Sequence, residues 1–295
     1  MVLKQVATVL GMMLLGCCMG LRGASLQSAR SPQLRSAAAI VQDQGTGEYL
    51  VVKQPEVLMS IASITKLMTA MVVLDAPVDM GERITIEEAD KDRLRHSRSR
   101  LPVGTILTRR QALLLALMAS ENRAAHALAR TFPGGFDTFV ASMNAKARSL
   151  GLTSARFEDP TGLAEGNVAT AMDLARMVDA ASGYHQIRAF STQAATTLRC
   201  GRRELQFHNT NALVRNPKWH IGLSKTGYIE EGGRCLVMQT RLAQRPVLIV
   251  LLNSSGKNTR LGDAARIKQW LEGPEPAPRV AKRRARSKTH RVVRA

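Results

Sequence analysis

Residues 63–75, Ser-Ile-Thr-Lys-Leu-Met-Thr-Ala-Met-Val-Val-Leu-Asp, are apolar at almost every position. A helix with that pattern has no face suited to water, so it must lie inside a domain with other elements wrapped around it. It nevertheless carries Ser63 at its start and Lys66 three residues later. Three residues is nearly one helical turn, which sets the hydroxyl and the amine on the same side. A buried amine is costly unless it has a task. Beside a hydroxyl, the task that fits is nucleophilic catalysis.

The rest of the chain has the material to enclose such a helix. Its 295 residues suffice for one large or two small domains, and a hydrophobic content of 45% fits a folded protein. Short apolar runs at 37–41 and 48–52 flank a turn-rich segment, the pattern of a hairpin. Residues 79–102 are polar, with Arg93, Arg95, Arg98 and Arg100 spaced along them. They read as a solvated loop, or as the border of a cleft for an anionic substrate. Thr108-Arg109-Arg110-Gln111 is a capping box ahead of a leucine-rich helix. Helical patterns follow at 124–130, 136–150 and 172–181. Strands are expected at 197–199, 204–207, 222–228, 235–240 and 247–252, and a last helix at 263–271. This order predicts an α/β (α+β) domain over residues 37–273, with one antiparallel sheet built from both chain ends and a helical block inserted between them.

The two ends read differently. Lys4 followed by an apolar run at 6–19 is a secretion signal, with cleavage near residues 20–25. A signal over 1–24 and a leader over 25–36 follow. Leu14-Leu15-Gly16-Cys17 also approximates a lipoprotein-processing site, although Leu15 is bulky for that role. Export to the periplasm is the expected localisation. It leaves Cys200 and Cys235, which an oxidising compartment would allow to pair. Residues 274–295 contribute +7 of the formal net charge of +19 and have few apolar groups, so they are expected to stay disordered. So basic a chain suggests an anionic partner. No helix-turn-helix, zinc-finger or aromatic-plus-basic pattern supports nucleic acid as that partner. The six histidines lack metal-ligand spacing, and no metal or cofactor is expected.

Ser-x-x-Lys alone is weak evidence. About one such spacing is expected by chance in a chain this long, and Ser254-Ser255-Gly256-Lys257 is a second. Ser142-Met143-Asn144 likewise repeats a Ser-x-Asn pattern inside a plain helix. The first pair gains weight from its companions. Ser120-Glu121-Asn122 interrupts helices 57 positions after Ser63, and Lys225-Thr226-Gly227 lies in a strand 103 beyond Asn122. In this trio and order the chain resembles the penicillin-interacting serine D,D-peptidases and β-lactamases. The neighbouring residues Ser120-Glu121-Asn122-Arg123-Ala124-Ala125, Leu223-Ser224-Lys225-Thr226-Gly227-Tyr228-Ile229, Asp159-Pro160-Thr161-Gly162-Leu163 and Gly232-Gly233-Arg234-Cys235-Leu236 are similar to the D-alanyl-D-alanine endopeptidases among the low-molecular-mass penicillin-binding proteins. The similarity runs over residues 37–271.

The resemblance implies a role for each residue, and the chemistry suits those roles. Ser63 is the nucleophile and needs a base. Lys66 serves only if neutral, which takes about 3–5 kcal/mol of differential destabilisation of its charge. Burial supplies this, helped by a second cation such as Lys225. Ser120 relays a proton to the leaving amine, and Asn122 bonds the substrate's peptide chain. Lys225 and Thr226 receive a substrate carboxylate, while Gly227 lets the peptide lie against the strand. The backbone N–H groups of Ser63 and Tyr228 form the oxyanion hole.

The function so implied is a penicillin-binding D,D-endopeptidase acting through a Ser63 acyl-enzyme on the D-alanyl cross-links of peptidoglycan stem peptides, with β-lactams as inhibitors. The relatives' C-terminal β-domain and amphipathic anchor have no counterpart past residue 271, which favours the endopeptidase. Alternatives are a D-alanyl-D-alanine carboxypeptidase, a β-lactamase, and an inactive wall-binding protein. The β-lactamase needs a glutamate in a Glu-x-x-Leu-Asn segment; Glu158 lies in that region but its neighbours do not match. The basic tail is expected to adhere to an anionic envelope polymer or lipid.

Overall fold

The structure is a computed structural model that describes residues 31–200 and 203–273. The segments read as signal and basic tail lie outside the described residues.

A five-stranded antiparallel sheet carries the molecule. Its strands are β1 (Ser36–Asp43), β2 (Tyr49–Lys53), β9 (His220–Ile229), β10 (Gly233–Leu242) and β11 (Arg245–Ser254), in the order β2-β1-β11-β10-β9. The sheet is thus assembled from both ends of the chain, with Ile40 opposite Val250 and Val237 opposite both Val250 and Lys225. Alternation along the strands explains why they read as continuous apolar runs. Ala38, Ile40, Val237, Leu248, Val250 and Leu252 face the helical block. Ala39, Val41, Leu236, Met238, Ile249 and Leu251 face α7 (Thr259–Glu272).

The inserted block contains α1 (Lys66–Asp75), α2 (Arg109–Met118), α3 (Asn122–Arg130), α4 (Gly135–Ser149), α5 (Ala171–Ser182) and α6 (His185–Ser191). Small two-stranded pairings join β3 (Met59–Ser60) to β6 (Val168–Ala169) and β4 (Arg83–Thr85) to β5 (Ile106–Thr108). The hairpin of β7 (Ala195–Cys200) and β8 (Arg203–His208) completes the elements. Helix α1 packs against α2, α3, α4, α5 and α6, so it is buried on all sides. This is the environment its composition demanded. The capping box at α2 is present, with Gln111 N–H donating to Thr108 Oγ1 (3.1 Å) and Thr108 N–H to Gln111 Oε1 (2.8 Å).

Three differences from the sequence reading bear on the site. The expected helix over 63–75 is broken: Ala62–Thr65 form a 3-10 turn, and α1 begins at Lys66. Ala62 adopts a positive φ of 48°, which turns the chain sharply out of β3 and into that turn. Helix α7 begins at Thr259, one turn earlier than its apolar pattern indicated, because its first turn is polar. Helix α6 carried no clear pattern of its own and was not anticipated. Cys200 and Cys235 are free thiols. Cys235 is fully buried in β10, and burial pushes its thiol up to about 11.

Candidate active site

The three motifs converge on a cleft of about 650 Å³ between β9 and the helical block, whose lining includes Ser63, Ser120, Asn122, Thr226, Gly227 and Tyr228. Close backbone packing makes this possible. The turn at Asp159–Gly162 docks on α1: Thr69 Oγ1 donates to Pro160 O (2.6 Å), and the Asp159 carboxylate receives the N–H groups of Thr161, Gly162 and Ala164. At Gly162 a Cβ would lie 1.9 Å from Ala62 O, and at Gly227 one would lie 2.9 Å from Ile61 O and 3.1 Å from Ser63 N. Glycines therefore press the Ser63 turn from two sides and bring the backbone of β9 against the Ser63 amide.

Lys66 is fully buried, with its amine enclosed by three oxygens. It contacts Ser63 Oγ at 2.9 Å, Asn122 Oδ1 at 2.7 Å and Thr161 O at 2.6 Å. The amide and carbonyl oxygens are obligate acceptors for two amine hydrogens, whereas the serine hydroxyl can donate as well as accept. A neutral Lys66 that donates to the first two directs its lone pair at Ser63 Oγ. Burial lowers its pKa to about 7, against the opposing pull of Asp159, Glu121 and Asp92. The expected help from Lys225 runs the other way: Lys225 is itself held well below the ordinary range, by its burial and then by Lys66 and Arg260.

Ser120 sits in the three-residue link between α2 and α3 with φ of 58°, a conformation disfavoured outside glycine. Its Oγ accepts from Lys225 Nζ at 2.8 Å, which leaves the Ser120 proton free to point elsewhere. The Lys225 amine also donates to Thr226 O (2.9 Å) and the residue is 1% exposed, so it lies behind Ser120. Asn122 is locked at both ends, since Nδ2 donates to Ser97 Oγ at 2.9 Å. Thr226 Oγ1 pairs with Thr210 Oγ1 at 2.7 Å. The Tyr228 side chain is half exposed, and the Arg234 guanidinium lies 4.2 Å from its ring centroid.

Two contributors escaped the sequence reading. Ser97 is one; nothing in a polar loop marked it as the partner of Asn122. Arg260 is the other. It lines the cleft from the first turn of α7, and its buried Nε and Nη1 have no hydrogen-bond partner. Burial and the neighbouring Arg234 lower its pKa. A cation at a helix N-terminus opposes the helix dipole, and that was the available signal. Among the loop arginines, Arg95 does line the cleft, donating Nε to Leu163 O and pairing with Glu231 at 2.8 Å. Glu158 pairs with Arg156 and is not among the residues lining the cleft. Among the described residues no His, Cys, Asp and Glu group is arranged to hold a metal.

Comparison with known proteins agrees with this architecture. Residues 25–256 match the family model described as D-alanyl-D-alanine carboxypeptidase. A D-alanyl-D-alanine endopeptidase of Pseudomonas aeruginosa is 46% identical over 242 residues, 81% of this chain and 78% of that protein. The D-alanyl-D-alanine endopeptidase of Escherichia coli is 40% identical over 257 residues, 86% and 83% of the two chains. The crystal structure of the Streptomyces K15 DD-transpeptidase superposes with a TM-score of 0.76 at 28% identity, covering 81% of this chain and 97% of that one. The chain whose cleft-lining Ser63 sits on the buried Lys66 amine belongs to the D-alanyl-D-alanine carboxypeptidase family of penicillin-binding serine D,D-peptidases.

Proposed function

We propose that the enzyme hydrolyses D-alanyl cross-links between peptidoglycan stem peptides through an acyl-enzyme at Ser63. The observation that carries the reading is the Lys66 amine, 2.9 Å from Ser63 Oγ, buried and brought to about 7. Neutral Lys66 takes the Ser63 proton as Oγ attacks the carbonyl carbon. The N–H groups of Ser63 and Tyr228 receive the developing oxyanion. Ser120 gives its hydroxyl proton to the leaving amine and regains the one that Lys66 took from Ser63; water then attacks the acyl carbon through Lys66, which takes its proton and returns it to Ser63 Oγ as the acyl group departs as a carboxylic acid. Asn122 holds Lys66 and borders the peptide's path. A carboxylate on the departing side meets Arg260, whose buried Nε and Nη1 have no other hydrogen-bond partner, with Thr226 beside it and Lys225 behind. The endopeptidase preference is supported by the similarity to the Pseudomonas and Escherichia D-alanyl-D-alanine endopeptidases.

Mass spectrometry of the penicillin adduct is the direct test. One acyl group on Ser63, absent in Ser63→Ala, is expected, and adduct release should be slow because Glu158 is turned to Arg156. Labelling elsewhere would sink the assignment, and hydrolysis of many penicillins per second would favour the β-lactamase. Purified muropeptide dimers separate the two peptidase activities. Dimers that persist while pentapeptides lose D-alanine would make the enzyme a carboxypeptidase. The apolar run at 6–19 supports a periplasmic location, and the charge of +7 in residues 274–295 supports adhesion to an anionic envelope polymer or lipid.

A further inference from the structure

The middle residue of the Ser120–Asn122 motif has no part in the chemistry described so far. Glu121 is 8% exposed and is not among the residues lining the cleft, so any part it plays runs through its neighbours. Its backbone joins two helices: the Glu121 N–H donates to Leu115 O of α2 (3.1 Å), and its carbonyl receives the Ala125 N–H of α3 (3.2 Å). Its side-chain Oε1 accepts the Ser99 hydroxyl at 2.6 Å and the Arg123 N–H at 3.3 Å. One carboxylate thus caps α3 and grips the polar loop that runs from Asp92 to Leu101.

That loop is held at both ends. Ser99 Oγ receives the Leu101 N–H (3.0 Å), Leu101 is fully buried, and its carbonyl receives Arg123 Nη1 (2.5 Å). At the other end the Asp92 carboxylate receives the N–H groups of Leu94, Arg95 and Ser97, together with the Ser97 hydroxyl. What the loop delivers to the site is Ser97. A hydroxyl has one proton, and with that proton on Asp92 the Ser97 oxygen can only accept from Asn122. The Asn122 amide must then turn Nδ2 to Ser97 (2.9 Å), which leaves Oδ1 for Lys66 (2.7 Å). A flipped amide would offer its N–H groups to the Lys66 lone pair and draw that lone pair off Ser63.

The same arrangement fixes charge around the base. Lys66 faces Asp159 from its turn, Glu121 from the link between α2 and α3, Asp92 from the loop and Lys225 from β9. The three carboxylates favour its ammonium form, and burial opposes them.

We propose that Glu121 is a positioning residue for the acylation step: through Ser99 it holds the loop that aims the Asn122 amide at Lys66, and it keeps a negative charge within reach of that amine. The proposal rests on the reading of Lys66 as the base for Ser63.

Single substitutions separate placement from charge, with penicillin acylation followed by stopped flow across the neutral pH range. Ser99→Ala frees the loop and keeps the charge, so the plateau rate should fall about tenfold with an unchanged midpoint. Glu121→Gln keeps an acceptor for Ser99 and Arg123 and removes the charge. Its midpoint should move to lower pH, with a plateau within about threefold of the wild type. Glu121→Ala should show both changes. If its Tm and penicillin labelling show that it does not fold, the other two variants decide. An unmoved midpoint in Glu121→Gln overturns the proposal, as does a wild-type plateau in both alanine variants. A wild-type profile that rises with pH, matched by unchanged variants, rejects the role of Glu121 alone. A wild-type profile that is flat rejects Lys66 as the base, and the proposal with it.

Discussion

Lys66 is the residue on which the chemistry turns. At about 7, against an ordinary 10.5, its amine keeps its proton in mildly acidic solution and loses it in mildly basic solution. Only the neutral form can accept the Ser63 proton. Penicillin acylation should therefore rise with pH through neutrality and level off above about pH 8. Stopped-flow acylation across that range checks this, and a flat profile would remove Lys66 as the base. Stability carries the same sign. Between about 7 and 10.5 the unfolded chain binds a proton that the folded chain has lost, so the Lys66 contribution to stability improves as pH rises through that window. The enclosing acceptors, Asn122 Oδ1 and Thr161 O, keep the amine aligned. Their positions depend in turn on Ser97 and on the clasp of Asp159 around its own turn.

The next scale is the packing of one element on another, and here glycine decides the distance. Strand β9 approaches the Ser63 turn so closely at Gly227 that a methyl group would meet Ile61 O at 2.9 Å and Ser63 N at 3.1 Å. Both neighbours are backbone and cannot swing aside. Gly227→Ala should push the strand away from the Ser63 amide by a few tenths of an ångström and misalign the oxyanion donors. A loss of about 10²-fold in acylation rate is expected. Thermal unfolding should show a Tm close to that of the wild type, since β9 keeps its pairing with β10 along the rest of its length. An acylation rate equal to that of the wild type would mean that the Gly227 contact does not set the geometry of the site. The break between the 3-10 turn and α1 belongs to this scale too. Apolar periodicity alone continues smoothly through residues 63–75, and the positive φ of Ala62 that starts the turn has no sequence signal, because alanine seldom adopts it.

At the scale of the molecule, the sheet is closed by contacts between the chain's two ends. Ser36 Oγ lies 2.7 Å from Ser254 Oγ and donates to Asp263 Oδ2 at 2.5 Å, and the Arg35 and Ser36 amides donate to the same carboxylate. Burial alone would raise the Asp263 carboxyl, but these bonds and Arg266 outweigh it and hold it below the ordinary range. Its contribution is thus present at neutral pH and is lost as pH falls through the folded value. Because β1, β11 and α7 are tied together before residue 273, the basic segment that follows should be dispensable for folding. Removing residues 274–295 should leave penicillin labelling intact while weakening binding to anionic vesicles at low salt. Lost labelling would mean that the segment is part of the fold.

The sequence by itself determined what must be buried and what chemistry must sit beside it. An all-apolar helix bearing Ser63 and Lys66 forces a domain to form around an amine. The alternating strands at the two chain ends specified one sheet, and the capping box placed the start of α2. Tertiary structure decided the rest, because distance and dielectric are properties of several segments at once. It set Lys66 against the carbonyl of Thr161, 95 residues away, and placed Lys225 behind Ser120. It also brought Arg260 into the cleft from a helix whose first turn looked unremarkable. Local spacing records which groups share a helix face; it carries no record of which oxygen will meet which amine once the two ends of the chain close into one sheet.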